Sequence, residues 1–344
     1  MALPITRYYG SKRKLADRIW EVVQERHVEF DSFLDVFGGT GIMSYLMASK
    51  GKAVIYNDIF RFNCLIAEAL IATPRGTLTI PDALSLLHPV EEREYRHYIE
   101  DIYRGIYYTD EEDRTIDTVV QNIAHMQQQQ QASAYYVLFQ SCLIKRPFNL
   151  FHRGNLNLRE NHVDSSFGNY VTWEKSFESL FQQFTDELNR FQFLQIPDVT
   201  IVNHSALACP HTADLVYIDT PYFSKKSSSL SYHSRYHFLE GLVFYDEIPT
   251  HVNYEKSNRE IMIHKNAEFE TRRNYVNELN ELLGHFPNST IVLSYTSDGY
   301  PSIGELEAIL RQHKNQVETI NFGKYSFALN RSNQNRQEVL FLAQ

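Results

Sequence analysis

A discontinuous α/β core interrupted by a helix-rich insertion is the fold this chain of 344 residues predicts, and three observations predict it. Residues 32 to 58 read in unbroken succession as strand, glycine turn, helix, strand and acid. From about Ala72 to Pro197 that alternation fades. After Pro197, short apolar runs of strand length return.

Ser32-Phe33-Leu34-Asp35-Val36-Phe37 has the composition of a buried strand and runs into Gly38-Gly39-Thr40-Gly41. Ile42 to Ser49 is apolar and helix-forming, and Ala53-Val54-Ile55-Tyr56 is a second strand ending at Asn57-Asp58. Glycines let backbone amides approach a ligand closely, and a carboxylate after the second strand can accept bonds from ribose hydroxyls. The full six-residue dinucleotide fingerprint is missing, which argues against a nicotinamide enzyme. A helix is expected from Ile59 to Leu70, for which Asp58 alone would serve as N-cap.

In the middle segment, charged helical stretches are expected around Glu91 to Arg104, with an acidic patch at Asp110 to Asp113. The glutamine run from Gln127 to Gln131 reads as part of a helix leading into Ala134 to Ile144, because glutamine is a reasonable helix former. Strands are expected at Val199 to Val202, Leu215 to Ile218, Thr290 to Ser294 and Glu338 to Leu342. The division that follows is a core of residues 1–72 and 197–344 with a module of residues 73–196 inserted.

With 43% hydrophobic residues and a mean hydropathy of -0.38, the chain has the balance of a soluble globular protein. No apolar stretch approaches the roughly 18 residues that span a bilayer. The beginning has no charged region followed by an apolar one, so a cytoplasmic protein without membrane contact is expected. Cys64, Cys142 and Cys209 lie far apart and read as reduced and structural. The histidines form no convincing metal set, and His233 and His237, at helical spacing, read as surface or phosphate contacts. A net charge of -9 argues against indiscriminate binding to polyanions but leaves room for a local basic face.

The most informative stretch is Asp214 to Phe223, an apolar run closing in Asp219-Thr220-Pro221-Tyr222. Proline cannot donate to a sheet ladder, so the strand must stop by Thr220 and hand over to a loop. A carboxylate, free carbonyls and an aromatic face then meet at a strand's carboxyl end, where open α/β sheets keep their ligands. The first two accept from an amino group while the third stacks on a ring. An amino-bearing heterocycle suits them best.

Arg7-Tyr8-Tyr9-Gly10-Ser11-Lys12, Phe37-Gly38-Gly39-Thr40-Gly41 and Asp219-Thr220-Pro221-Tyr222 together resemble the ordered motifs of the Dam-like adenine-N6 DNA methyltransferases. The resemblance spans nearly the whole chain, and the insertion falls in the interval where that family keeps its target-recognition module. It implies a Rossmann-like methyltransferase fold and S-adenosylmethionine as cofactor. It also implies transfer of a methyl group to N6 of an adenine flipped out of a specific double-stranded DNA sequence. A bacterial restriction-modification role follows, with a cognate restriction endonuclease as implied partner. On the same basis Phe37, Gly38, Gly39, Thr40 and Gly41 would approach the cofactor's methionine and ribose portions, with Asp58 on the ribose hydroxyls. Tyr9 and Lys12 would line the methionine side, and Asp35 would face the ammonium.

Two positions depart from the family's pattern. Thr220 stands where proline is usual, but its expected role is a backbone carbonyl, which threonine also supplies. Ser205 aligns where the family often has an acid for the cofactor's adenine amino group.

DNA contacts are expected from the basic, amide-rich stretch 143 to 159, through Lys145, Arg146, Asn149, His152, Arg153, Asn155 and Arg159. A second set, Lys225, Lys226, Tyr232 and Arg235, follows the catalytic motif closely enough to clamp the strand beside the flipped base. The other readings left open are methylation of RNA adenine or of protein glutamine, and a DNA-binding relative without turnover.

Overall fold

In the computed structural model, residues 2–5, 7–8, 10–160, 170–224, 231–264, 268–324 and 337–344 are described. Nine strands form among them: β1 Ser32–Asp35, β2 Ala53–Asn57, β3 Val199–Val202, β4 Leu215–Ile218, β5 Phe223–Ser224, β6 Thr290–Thr296, β7 Gly299–Tyr300, β8 Val317–Lys324 and β9 Gln337–Ala343. The α-helices are α1 Ala16–Glu25, α2 Ile42–Ser49, α3 Arg61–Ala67, α4 Ile80–Ser85, α5 Tyr98–Tyr103, α6 Asp110–Ala124, α7 Gln128–Ile144, α8 Leu156–Glu160, α9 Tyr170–Trp173, α10 Phe177–Phe191, α11 Tyr232–Val243, α12 Ile248–His251, α13 Tyr275–Gly284 and α14 Ile303–His313.

Seven strands make one sheet in the order β3-β2-β1-β4-β6-β9-β8, parallel from β3 through β6, with β9 antiparallel to both its neighbours. β5 and β7 pair as a small antiparallel ribbon. This strand order is that of the expected Rossmann-like α/β core. The chain moves outward in one direction from β1 to β3 and in the other from β4, so the strand order reverses between β1 and β4. That reversal opens a crevice at the strands' carboxyl ends.

The near-continuous apolar runs of the central strands follow from burial on both faces. Phe33 and Tyr217 face one layer, with α1, α2 and helices of the insertion, whereas Leu34, Val216 and Ile218 face the other, with α13 and α14. One apolar cluster continues from Phe33 and Val292 through Ile116 and Leu138 to Phe184.

Between β2 and β3, the described residues contain helices and no strand. The glutamine run does enter a helix, α7. Two expectations need correction. Glu91 to His97 is not helical: Tyr95 and Arg93 bond to Asn122 and Arg96 to Gln121, so this stretch spends its polar groups on α6. The helix after Asp58 begins at Arg61 and passes into a π-turn, Glu68–Ala72. β8 went unanticipated; it is the half-exposed edge strand, and a polar edge strand gives little apolar signal. The three cysteines are buried and free.

Candidate active site

The crevice between β1 and β4 is a pocket lined by Lys12, Asp35, the Phe37–Thr40 turn, Asp58 and the Asp219–Tyr222 turn. Two segments near the start of the chain and one more than a hundred residues further on thus share one wall. β4 ends at Ile218, and the chain leaves the sheet at Asp219, as Pro221 requires.

The glycine turn is held by its neighbours. Gly39 and Gly41 take positive φ of 50° and 70°, the region glycine enters without a Cβ penalty, and Gly41 caps α2. Gly38 is needed for space: a Cβ there would lie 2.1 Å from the Tyr56 ring, whose hydroxyl donates to the Gly39 carbonyl at 2.6 Å. Asp58 closes the turn from the other side, accepting from the Gly39 N–H and the Phe60 N–H, each at 2.8 Å. Burial raises its carboxyl to about 6, against the lowering by those two amides.

Asp35 is buried at the end of β1. One of its oxygens accepts from the Ser44 hydroxyl at 2.8 Å, and the other, Oδ1, has no partner among the described residues. Burial raises its carboxyl to about 7, with Asp219 and Asp58 adding to the rise and Ser44 opposing it. An orphaned acceptor in a pocket wall suits a cationic donor.

Lys12 reaches Asp219 at 2.8 Å. Burial alone would lower the ammonium, but Asp219 and other nearby groups hold it well above its ordinary value. Burial also raises the Asp219 carboxyl, against Lys12. A direct contact of this kind keeps the pair ionised. Tyr222 lies with its ring 5.6 Å from the Lys12 ammonium and 5.8 Å from the Tyr295 ring, which meets it edge-on. Thr220 has a feature the sequence reading missed: its hydroxyl shares a 2.6 Å hydrogen bond with the buried Tyr275 hydroxyl. Thr220→Pro keeps the carbonyl but strands that tyrosine. It is therefore expected to cost about 1–3 kcal/mol in denaturant unfolding, with Tyr275→Phe restoring much of the loss.

The structure also rearranges the expected contacts. Tyr9, Lys225 and Lys226 lie outside the described residues. Ser205 is not on the pocket wall; it bonds to Glu268, which is. Tyr232 lines the pocket too, close to Gly10, and Arg235 sits over its ring at 5.5 Å. Tyr8, Met43, Phe60, Glu268, Phe269 and Glu270 also line the wall without having been foreseen.

In the basic stretch, three residues are not surface contacts, which corrects the expectation. Lys145 pairs with Glu112 at 2.8 Å and donates to the Trp173 and Lys175 carbonyls, and Arg159 grips the same carboxylate through both oxygens. Arg146 is 1% exposed, lies over the Tyr107 ring and donates to the carbonyls of Tyr107, Leu150 and Arg153. These buried cations tie the loop to the helical segment through their carboxylate and carbonyl partners. His152 and Arg153 remain exposed, with Asn149 and Asn155 half-buried in left-handed turns. His233 and His237 are buried rather than at the surface. His237 bonds to Tyr107 and Ile261, and burial pulls it down to about 3. No metal-binding group of His, Cys, Asp or Glu occurs among the described residues, and no described helix is long and apolar enough to cross a membrane.

The model of the D12 class N6 adenine-specific DNA methyltransferases matches residues 8–289. The chain is 24% identical to Type II methyltransferase M2.HphI of Haemophilus parahaemolyticus over 350 residues, 99% of this chain and 98% of that relative. It is 23% identical to Type II methyltransferase M.NlaIII of Neisseria lactamica, over 92% of this chain and 89% of the relative. Against Type II methyltransferase M.FokI of Planomicrobium okeanokoites it is 24% identical over 89% of its own length, yet spans only 47% of that protein. With most of its length matched and a crevice of this composition at the sheet's switch point, the chain belongs to the D12 class N6 adenine-specific DNA methyltransferases.

Proposed function

We propose that the crevice binds S-adenosylmethionine and that Asp219, the Thr220 carbonyl and Tyr222 hold an adenine flipped out of duplex DNA for methylation. The observation that carries this reading is the meeting of the Asp219–Tyr222 turn with the glycine turn and Asp58 in one pocket. The residues fit that cofactor: the unpartnered Oδ1 of Asp35 suits an ammonium, and Asp58 suits a ribose diol. When bound, the cofactor supplies a methyl group already activated on a sulfonium.

The chain's own task is then placement. Asp219 and the Thr220 carbonyl accept the two amino protons, which aims the nitrogen lone pair, and Tyr222 stacks on the base. Lys12 orients Asp219 from behind. Pro221 fixes the turn. Residues 73–196 act as the target-recognition module, with Asn149, His152, Arg153 and Asn155 offered to DNA together with Tyr232 and Arg235. The likeness to Type II methyltransferases favours a restriction-modification setting, with a cognate endonuclease and cytoplasmic DNA as its context.

The test is transfer of labelled methyl from S-adenosylmethionine to a pool of duplexes, with RNA and protein as competitors. Label in adenine of DNA supports the reading; label only in a competitor, or none, defeats it. Two further outcomes are expected. Arg153→Ala should weaken DNA binding across all sequences and reduce the salt slope by about one. Arg146→Ala should instead lower stability by on the order of 2–4 kcal/mol, because three carbonyls lose their donor.

Cofactor affinity should also rise with pH. Burial raises the carboxyls of Asp35 and Asp58 to about 7 and about 6, so below those values the groups that would meet the ammonium and ribose carry protons. Binding favours their ionised forms, so protons should be released near pH 6.5 and affinity should level off above pH 7.5. Calorimetry in buffers of different ionisation enthalpy measures this directly. An affinity flat from pH 5.5 to 8 would contradict it.

A further inference from the structure

The loops that follow β4, β1, β2 and β3 stand side by side in the order of the sheet. Along that edge come Asp219, then the glycine turn, then Asp58. With strands about 4.8 Å apart, β3 lies about 14 Å from β4. An elongated ligand with its methyl group at Asp219 and its ribose at Asp58 must put its base beside β3. The β3 loop is tied to this place: the Asn203 amide donates to the carbonyls of Asp58 and Ile59 at 2.7 and 2.9 Å.

That loop, Asn203-His204-Ser205-Ala206-Leu207-Ala208, contains no acid. A carboxylate nevertheless stands there, brought from the segment before α13. Glu268 lines the pocket with Ala206 and Ile59. Its Oε1 accepts from the Ser205 hydroxyl at 2.8 Å and its Oε2 from the Leu207 N–H at 3.2 Å. The next residue, Phe269, is fully buried, meets the Phe37 ring edge-on at 5.2 Å, and donates its N–H to Glu278 at 2.8 Å. The carboxylate is thus held from two sides. Each of its oxygens keeps capacity for a second hydrogen bond.

We propose that Glu268 accepts a hydrogen bond from the exocyclic amino group of the cofactor's adenine, and that Ser205 orients this carboxylate rather than touching the cofactor. The proposal rests on the S-adenosylmethionine reading above. Glu268 is then the specificity-determining residue for the cofactor's base. An amino group satisfies the carboxylate, whereas a base with hydrogen at that carbon leaves it unpaired.

The probes are S-adenosylhomocysteine and its purine riboside counterpart, which lacks the 6-amino group, titrated calorimetrically into the full chain. The wild type should bind the amino-bearing ligand at least about tenfold more tightly, as expected for a hydrogen bond to a charged acceptor. Glu268→Ala should weaken S-adenosylhomocysteine and bring the two ligands within about twofold of each other. Glu268→Gln, which preserves shape and one acceptor oxygen but no charge, should reduce the discrimination to the few-fold of a neutral hydrogen bond and serves if the alanine variant does not fold. Unchanged discrimination in these variants, or equal weakening of both ligands, overturns the role of Glu268 alone. Failure of the wild type to bind either ligand overturns the cofactor reading and this inference together.

Discussion

Asp219→Asn should lower the rate of methyl transfer by about a thousandfold while leaving S-adenosylmethionine binding within a few-fold of wild type. Preorganised polar contacts at a reacting centre are worth about 10²–10³ in rate each, and Asp219 would both aim the acceptor nitrogen and offset charge developing on it. Asparagine is the right replacement because it keeps the shape and one acceptor oxygen beside Lys12. Alanine would confuse the result: Lys12 is 5% exposed and would lose its ion-pair partner, and breaking a buried pair costs about 3–5 kcal/mol. Lys12→Met should slow transfer as well, and the double variant should lose less than the two single losses combined, since Lys12 acts through Asp219. Single-turnover kinetics with saturating cofactor measures all three. Equal slowing of binding and chemistry would place Asp219 outside the reacting centre.

Gly38→Ala should damage both folding and cofactor binding, although it adds a single methyl group. Its new Cβ would lie 2.1 Å from one Tyr56 ring carbon and 2.5 Å from two others. Tyr56 cannot swing aside: it is fully buried, and its hydroxyl is bonded to the Gly39 carbonyl. Overpacking of this kind costs typically 1–3 kcal/mol, and here the strain falls on the glycine turn itself, so cofactor binding should be lost with it. Gly51→Ala is the control. Its φ of 77° also disfavours a side chain, but nothing lies within 4 Å, so only about 1–2 kcal/mol of backbone strain and no loss of binding are expected. Thermal unfolding and cofactor titration separate the two. A Gly38→Ala variant that melts and binds like wild type would show that the turn is not held as described.

Much of this site was legible in the sequence because its chemistry sits where the chain changes structure. A proline forces a strand to end, so Asp219 could be placed at the sheet's edge from Pro221 alone. Gly38 to Gly41, between a strand and a helix, marked the neighbouring loop in the same way. What sequence did not convey was partnership across the fold. Nothing near Lys12 announces that it meets Asp219, and nothing in the sequence around Glu268 marks a path to the β3 loop. The basic stretch misled for a related reason. Lys145, Arg146 and Arg159 look like a phosphate-binding run, but charge counted along a chain does not reveal the Glu112 carboxylate and the backbone carbonyls that absorb it. The residues of that stretch still free to reach outward are the ones flanked by turns.

Modified-base sequencing of DNA from cells expressing the chain measures whether this pocket methylates adenine within a specific DNA sequence. N6-methyladenine at nearly every copy of one short sequence, absent from cells expressing Asp219→Asn, is the predicted result. Unmodified DNA in cells that accumulate the folded wild-type chain, or modification that persists in the Asp219→Asn variant, would contradict it.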